Sequence, residues 1–180
     1  MLDLFKRKLF KIIFWLFVLI AFPFTVLMLI GSQRYVYRAE VRINSTADVI
    51  FPYLHTPDEV IRWQNGVSSL SPRDNNFNQP GNTGSLILNG ADTEHSLTIT
   101  IDAISPSTHL ITSTESDIFK SQTTWELKTF EDYSIVRQEV VCFYGGVGRF
   151  MAPFLTSKAE QQLQDDLDRL RKTVEAEHGP

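Results

Sequence analysis

The sequence predicts an α+β fold: an antiparallel sheet with a long C-terminal helix, preceded by one transmembrane helix. Three observations lead there. The run IIFWLFVLIAFPFTVLMLIGSQ, residues 12–33, contains no charged residue. Between residues 67 and 144, short segments of period two alternate with turn signals, the mark of hairpin-connected strands. From Gly148 onward, Leu155, Ala159, Leu163, Leu167, Leu170 and Val174 recur at steps of three and four, which is one stripe of a helix.

The first segment is long enough to cross a bilayer, whose core takes about 20 apolar residues in a helix. It follows a basic flank, residues 1–11. Pro23 is tolerated within a membrane helix, and Trp15 and Tyr35 lie near the two ends, where amphipathic rings prefer the interface. A cleaved signal peptide has a shorter apolar core and a small-x-small cleavage site. Ile30-Gly31-Ser32 is a poor one, so the preferred reading is an uncleaved single-pass anchor. Lys6, Arg7, Lys8 and Lys11 precede the span, and Arg34, Arg38 and Arg42 follow it. The positive-inside rule then places the N-terminus in the cytoplasm and the body of the chain outside it, N-in and C-out.

Charge limits the partners. Residues 43–180 hold 10 Lys and Arg against 19 Asp and Glu, a net charge of −9. Nucleic acid is bound by neutralising phosphates with Lys and Arg, so it is excluded as a partner. Anionic headgroups would repel this surface. The single Cys142 allows neither an internal disulfide nor a cysteine metal site.

The elements follow in order. Val36 to Ile43 alternates as a strand, with Tyr37, Ala39, Val41 and Ile43 on one face and Val36, Arg38, Glu40 and Arg42 on the other. Ser45 is placed to cap a short helix carrying Val49, Ile50, Phe51 and Leu54. Thr56, Pro57 and Glu59 fit N-cap, N1 and N3 of a capping box opening a second short helix. That helix ends on Trp63 before Asn65-Gly66. Val67–Pro72 is a weak strand, and residues 73–84 (RDNNFNQPGNTG) are a loop by composition. Strands follow at Ser85–Leu88, His95–Ile104, Leu110–Glu115, Phe119–Phe130 and Ser134–Tyr144. Asn89-Gly90 is a hairpin signal. Leu97, Ile99, Ile101 and Ala103 share one face of their strand, and Trp125 and Leu127 one face of theirs. Gly145-Gly146 ends the sheet. Pro153 either starts the last helix or kinks it. Asp165 and Arg169 stand four apart on its polar side and can pair.

This order, carried by INSTADVIFPYLHTPDEVIRWQNG, PGNTG before a strand, ITIDAISPSTHLITSTES, and GGVGRF opening the long helix, resembles the START-like (SRPBCC) superfamily. The branch it resembles is polyketide cyclase/dehydrase and lipid transport. The resemblance covers residues 36–177. It implies a helix-grip, a curved sheet folded round the C-terminal helix with a cavity between them. It also implies an apolar ligand, since members bind sterols, lipids, quinones or polyketides and a few catalyse cyclisations.

On that architecture the candidate ligand-binding residues are Phe51, Leu54 and Trp63 from the short helices and Leu97, Ile99, Ile101, Trp125, Leu127 and Tyr144 from the strands. Phe150 and Phe154, near the start of the long helix, complete the set. The same residues equally describe a filled core, with Trp63 plugging the junction of helix and sheet. Phe150, Met151, Phe154 and Leu155 beside Gly145, Gly146 and Gly148 can form a gate or simply the first core turn. No catalytic signature is present, and nothing implies a cofactor. His55, His95, His109 and His178 are not spaced as metal ligands. An enzyme of cyclase or aromatase type would need a polar group in the cavity, such as His95, Glu115 or Arg137. A third reading is a scaffold that contacts another membrane protein through the long helix.

Overall fold

The computed structural model describes residues 2–73, 77–89 and 94–178. Helix α1 runs Leu2–Gly31 and strand β1 Arg34–Ile43. A helical segment follows: α2 (Ala47–Ile50), a 3₁₀ turn (Phe51–Leu54) and α3 (Pro57–Trp63). Six strands come next: β2 (Val67–Pro72), β3 (Thr83–Asn89), β4 (Glu94–Ser105), β5 (His109–Glu115), β6 (Phe119–Thr129) and β7 (Ser134–Tyr144). Helix α4, Gly148–His178, closes the chain. The seven strands form one antiparallel sheet in the order β1-β7-β6-β5-β4-β3-β2. Only β1 and β7 are distant in sequence, and they pair over ten residues, from Arg34↔Phe143 to Ile43↔Ser134.

β1 follows the predicted alternation, with Tyr37, Ala39, Val41 and Ile43 buried and Arg38, Glu40 and Arg42 exposed. Outward charges cross to β7 as Arg38–Glu139 at 2.6 Å and Arg137–Glu40. α4 lies along β1 and α3 along β2, so the helical segment bridges the two sheet edges. The core sits where these helices meet the sheet. Ile43, Ile50, Ile101, Leu110, Val136, Leu167, Leu170 and Val174 are fully enclosed.

Four local expectations are corrected. The α2 N-cap is Thr46, not Ser45, and it makes no side-chain cap bond. Ser45 instead accepts a hydrogen bond at its carbonyl from Ser134 Oγ, 2.8 Å. Thr56 and Pro57 do open α3, but the capping box does not close; Glu59 pairs with Arg62 at 2.7 Å. A bulge at Asp102 shifts the β4 register, so Ile104 rather than Ala103 packs against the core. On α4, Arg169 approaches Asp166 at 3.9 Å, three residues away rather than four. Pro153 lies inside α4, whose start is already at Gly148. β3 and β4 pair antiparallel up to Asn89↔Glu94, while the rest of the predicted hairpin turn, residues 90–93, lies outside the described residues.

α1 carries a 22-residue stretch, Phe10–Gly31, long and apolar enough for a membrane span or a signal sequence. Its last turns pack against the start of α4. The rings of Phe24 and Phe150 lie 4.4 Å apart, and a methyl group on Gly31 would overlap the carbonyl oxygen of Arg149. Pro153 has no N–H, so that carbonyl lacks its ordinary i+4 donor. Only a residue without a side chain lets the two backbones meet there.

Two outcomes are expected. Leu170→Ala should cost about 2–5 kcal/mol in urea unfolding of the detergent-solubilised chain, because it empties a fully enclosed site. Cysteines placed at Phe24 and Phe150 should cross-link while Gly31 is kept, and Gly31→Leu should abolish that cross-link.

Candidate functional site

The stripe on α4 divides into two halves. Leu167, Leu170 and Val174 are enclosed. Leu155, Ala159 and Leu163 instead face a cavity of about 500 Å³ between α4 and the sheet. Its wall comes from one end of the strands: Val67 on β2, Leu88 on β3, Leu97 on β4, Thr114 on β5, Phe119, Ser121 and Thr123 on β6, and Gln138, Val140, Cys142 and Tyr144 on β7. Tyr37 on β1 and the Gln64–Val67 turn after α3 complete it. These strand segments are the start of β1, the end of β7, the start of β6 and the end of β5. In an antiparallel sheet they share one edge, the edge at which α1 joins.

Each predicted site residue has a definite place. Leu97 and Tyr144 line the cavity. Leu54, Trp63, Ile99 and Trp125 border a separate void of about 60 Å³ deeper in the sheet. Trp63 is 2% exposed, donates its indole N–H to the Tyr53 carbonyl at 2.8 Å and meets Trp125 edge to face at 5.8 Å. The pair therefore packs the junction of helix and sheet, and Gln138, Thr114 and Thr123 stand between it and the cavity. Phe51, Ile101 and Leu127 belong to the core. Phe150 touches Phe24 of α1, and Phe154 is 68% exposed.

Apart from Tyr144, the polar groups on the cavity wall are ones the sequence reading passed over. Gln138 is buried, and its carboxamide oxygen has no hydrogen-bond partner. A buried polar atom left unpaired costs about 1–3 kcal/mol, and the Gln138 side chain is part of the cavity wall. Asp166 on α4 accepts a bond from the Asn65 backbone N–H at 3.1 Å. Burial pushes its carboxyl up to about 6, against the pull of the Asn65 bond and of Arg169. The Tyr37 and Tyr144 hydroxyls lie 3.4 Å apart. Alternation alone places Gln138 on the inward face between Val136 and Val140, and that is the signal that would have found it. Asp166 sits in the acidic run QDDLD, which reads as a solvated helix face; only the fold of α3 over α4 buries it.

None of His95, Glu115 or Arg137 lines the cavity. Glu115 pairs with Lys120 at 2.5 Å, and Arg137 pairs with Glu40 on the outward face. A depression there, over Arg38, Glu40, Glu126, Arg137 and Glu139, is lined by charges most of which neutralise each other across strands.

Asp166 yields a pH test. Its folded value of about 6 exceeds the ordinary 3.8, so the protonated form is favoured in the folded chain. Its contribution to stability should be fully present below the ordinary value and lost as pH rises through about 6. Asp166→Asn should flatten that part of the urea-stability profile and leave the remainder unchanged.

Comparison with known proteins agrees with this architecture. A solved START superfamily protein from Mycobacterium smegmatis is 12% identical, with a TM-score of 0.65 over 78% of this chain and 97% of its own. Ara h 8.0201 is 13% identical, with a TM-score of 0.65 over 80% and 99%. The di-domain ARO/CYC StfQ from the steffimycin biosynthetic pathway is 10% identical, with a TM-score of 0.68 over 84% of this chain, which spans 54% of that one. At such identities the likeness is one of fold. No curated protein sequence matches the chain. The family model described as polyketide cyclase / dehydrase and lipid transport matches residues 35–175, and the chain belongs to that family.

Proposed function

We propose that this chain is a membrane-held binding domain for an apolar small molecule or lipid with a polar end group, taken into the cavity between the sheet and α4. The observation that carries the reading is the composition of that cavity. Leu86, Leu88, Leu97, Val140, Leu155 and Leu163 offer an apolar body site, and Gln138, whose carboxamide oxygen has no hydrogen-bond partner among the described residues, is a polar group on its wall. Ligand sites are mostly apolar hollows with a few placed polar groups. The volume, about 500 Å³, suits a molecule of lipid or polyketide size.

In this reading α1 spans the membrane as an uncleaved anchor, with the basic N-terminal flank in the cytoplasm and the binding domain outside it. Anchoring raises the effective concentration of a bilayer-derived ligand without basic patches. Among the described residues, Asp166 is the one carboxylate on the cavity wall. With its carboxyl near 6, it is the group a cyclase-type reading would use as acid or base. Binding is favoured over that reading: among the described residues the other ionisable groups on the wall are Tyr37, Tyr144 and Cys142, and burial pushes the Tyr144 hydroxyl and the Cys142 thiol up, away from use as a base.

Ala159→Trp fills the hollow from α4 without touching the enclosed core. Native mass spectrometry of the full chain in mild detergent should show a co-purified apolar mass on the unsubstituted protein and none on Ala159→Trp. A bare mass for both, persisting after incubation with total lipid extract, would defeat the proposal.

A further inference from the structure

Resting on the reading of α1 as a membrane span, we infer that the first two turns of α4 are themselves embedded in the bilayer, beside α1, as a second membrane contact of the domain. The linker leaves little freedom. Ser32 and Gln33 alone separate α1 from β1, and their N–H groups bond back to Leu29 and Ile30. β7 runs antiparallel to β1 and brings Phe143 opposite Arg34, so α4 starts at the membrane end of the sheet. Its contact with α1 lies within the apolar stretch. Phe24, which meets Phe150, is seven residues before Gly31, roughly 10 Å along the helix axis.

The surface at that depth is apolar. Val147 in the turn before α4, and Met151 and Phe154 on one side of the helix, are 67%, 55% and 68% exposed, as open as the apolar residues of α1. Ile118, against Gly148, extends the patch at 43%. The Ile118 loop is fastened to the same place: its carbonyl accepts from Gly145 N–H at 2.8 Å and lies against Gly148, where a methyl group would overlap it. Between Phe143 and Ser157 the one charged residue is Arg149, and its Nε donates to the Tyr144 carbonyl at 3.2 Å. The same outward side of α4 then turns polar at Lys158, followed by Asp165 and Lys172. Lys158 is placed where a long side chain reaches the headgroups. An acidic domain has no electrostatic attraction to that surface, so apolar burial must supply this second contact. Ile118 belongs both to the patch and to the cavity wall, and Leu155 on that wall follows Phe154 directly. The cavity mouth therefore opens at the acyl–headgroup boundary, and an apolar ligand can pass between bilayer and cavity without crossing bulk water.

The test is nitroxide accessibility in phosphatidylcholine nanodiscs, on full chains with a Cys142→Ala background. Labels are placed singly at Phe17→Cys, Met151→Cys, Phe154→Cys and Lys172→Cys. The oxygen-over-nickel accessibility ratio at 151 and 154 should rise to the lipid value read at 17, with 172 remaining aqueous. Aqueous values at 151 and 154 with a lipid value at 17 would overturn the embedded contact and leave the span intact. Aqueous values at 17 as well would overturn both. Should Cys142→Ala fail to fold, Phe154→Trp in a Trp15→Phe chain provides the same decision with the native thiol kept. The added Trp emission should be quenched by dibrominated phosphatidylcholine, and an unquenched signal overturns the inference.

Discussion

The pairing of β1 with β7 is the constraint on which this structure depends. Every other strand neighbour is consecutive in sequence and can close as a hairpin, a local event with a small loop-closure cost. β1 and β7 must meet across about a hundred residues, and their ten-residue register fixes which end of the sheet receives the last helix. Because β7 is antiparallel to β1, its final residues return to the point where α1 delivered the chain. α4 then starts against α1 and runs away from it across β1. The position of the cavity at the α1 edge follows from this topology before any side chain is considered.

The second consequence is that α4 has two different jobs along one stripe. Toward its C-terminus it is roofed by the α2–α3 segment. Tyr53 donates to Glu177 at 2.5 Å, and Arg62 bridges Glu59 and Glu177. Leu167, Leu170 and Val174 are sealed there. Toward its N-terminus α3 has ended at Trp63, and Leu155, Ala159 and Leu163 stand over open space. The edge-to-face pair of Trp63 and Trp125 lies at the boundary between the two regimes. Its large rings close the filled half and leave the other half hollow.

Much of this was legible in the sequence, because strand and helix periods report burial directly. The β1 alternation, the β2 limits and the α4 start at Gly148 came from pattern alone. What the sequence could not separate was a residue facing a core from one facing a cavity, since both demand the same apolar type. Trp63, Trp125 and Leu97 look alike as inward residues, yet only Leu97 borders the larger hollow. Asp166 was hidden for the opposite reason. Its neighbours Asp165 and Asp168 face outward, and the contact that buries it, the Asn65 N–H, comes from a turn a hundred residues earlier. Of the caps, the Glu59 carboxylate pairs with Arg62 rather than with the backbone, and the α2 N-cap falls one residue later than Ser45, at Thr46.

An unpaired carboxamide and a carboxyl held near neutrality are both costly in the free protein, and that cost is what can make the site selective. A purely apolar hollow binds molecules roughly in proportion to the surface they bury, so it discriminates poorly among lipids of similar size. Gln138 changes the comparison. Under the proposed binding reading, a ligand that brings a hydrogen-bonding group to its carboxamide oxygen relieves a penalty of about 1–3 kcal/mol, whereas a plain hydrocarbon leaves it in place. The difference corresponds to roughly five- to 150-fold in affinity between molecules of equal apolar area. Asp166 acts in the same direction. A ligand that displaces water from its side of the cavity disfavours the carboxylate further and draws a proton onto it, so uptake of such a ligand should be coupled to proton uptake near pH 6.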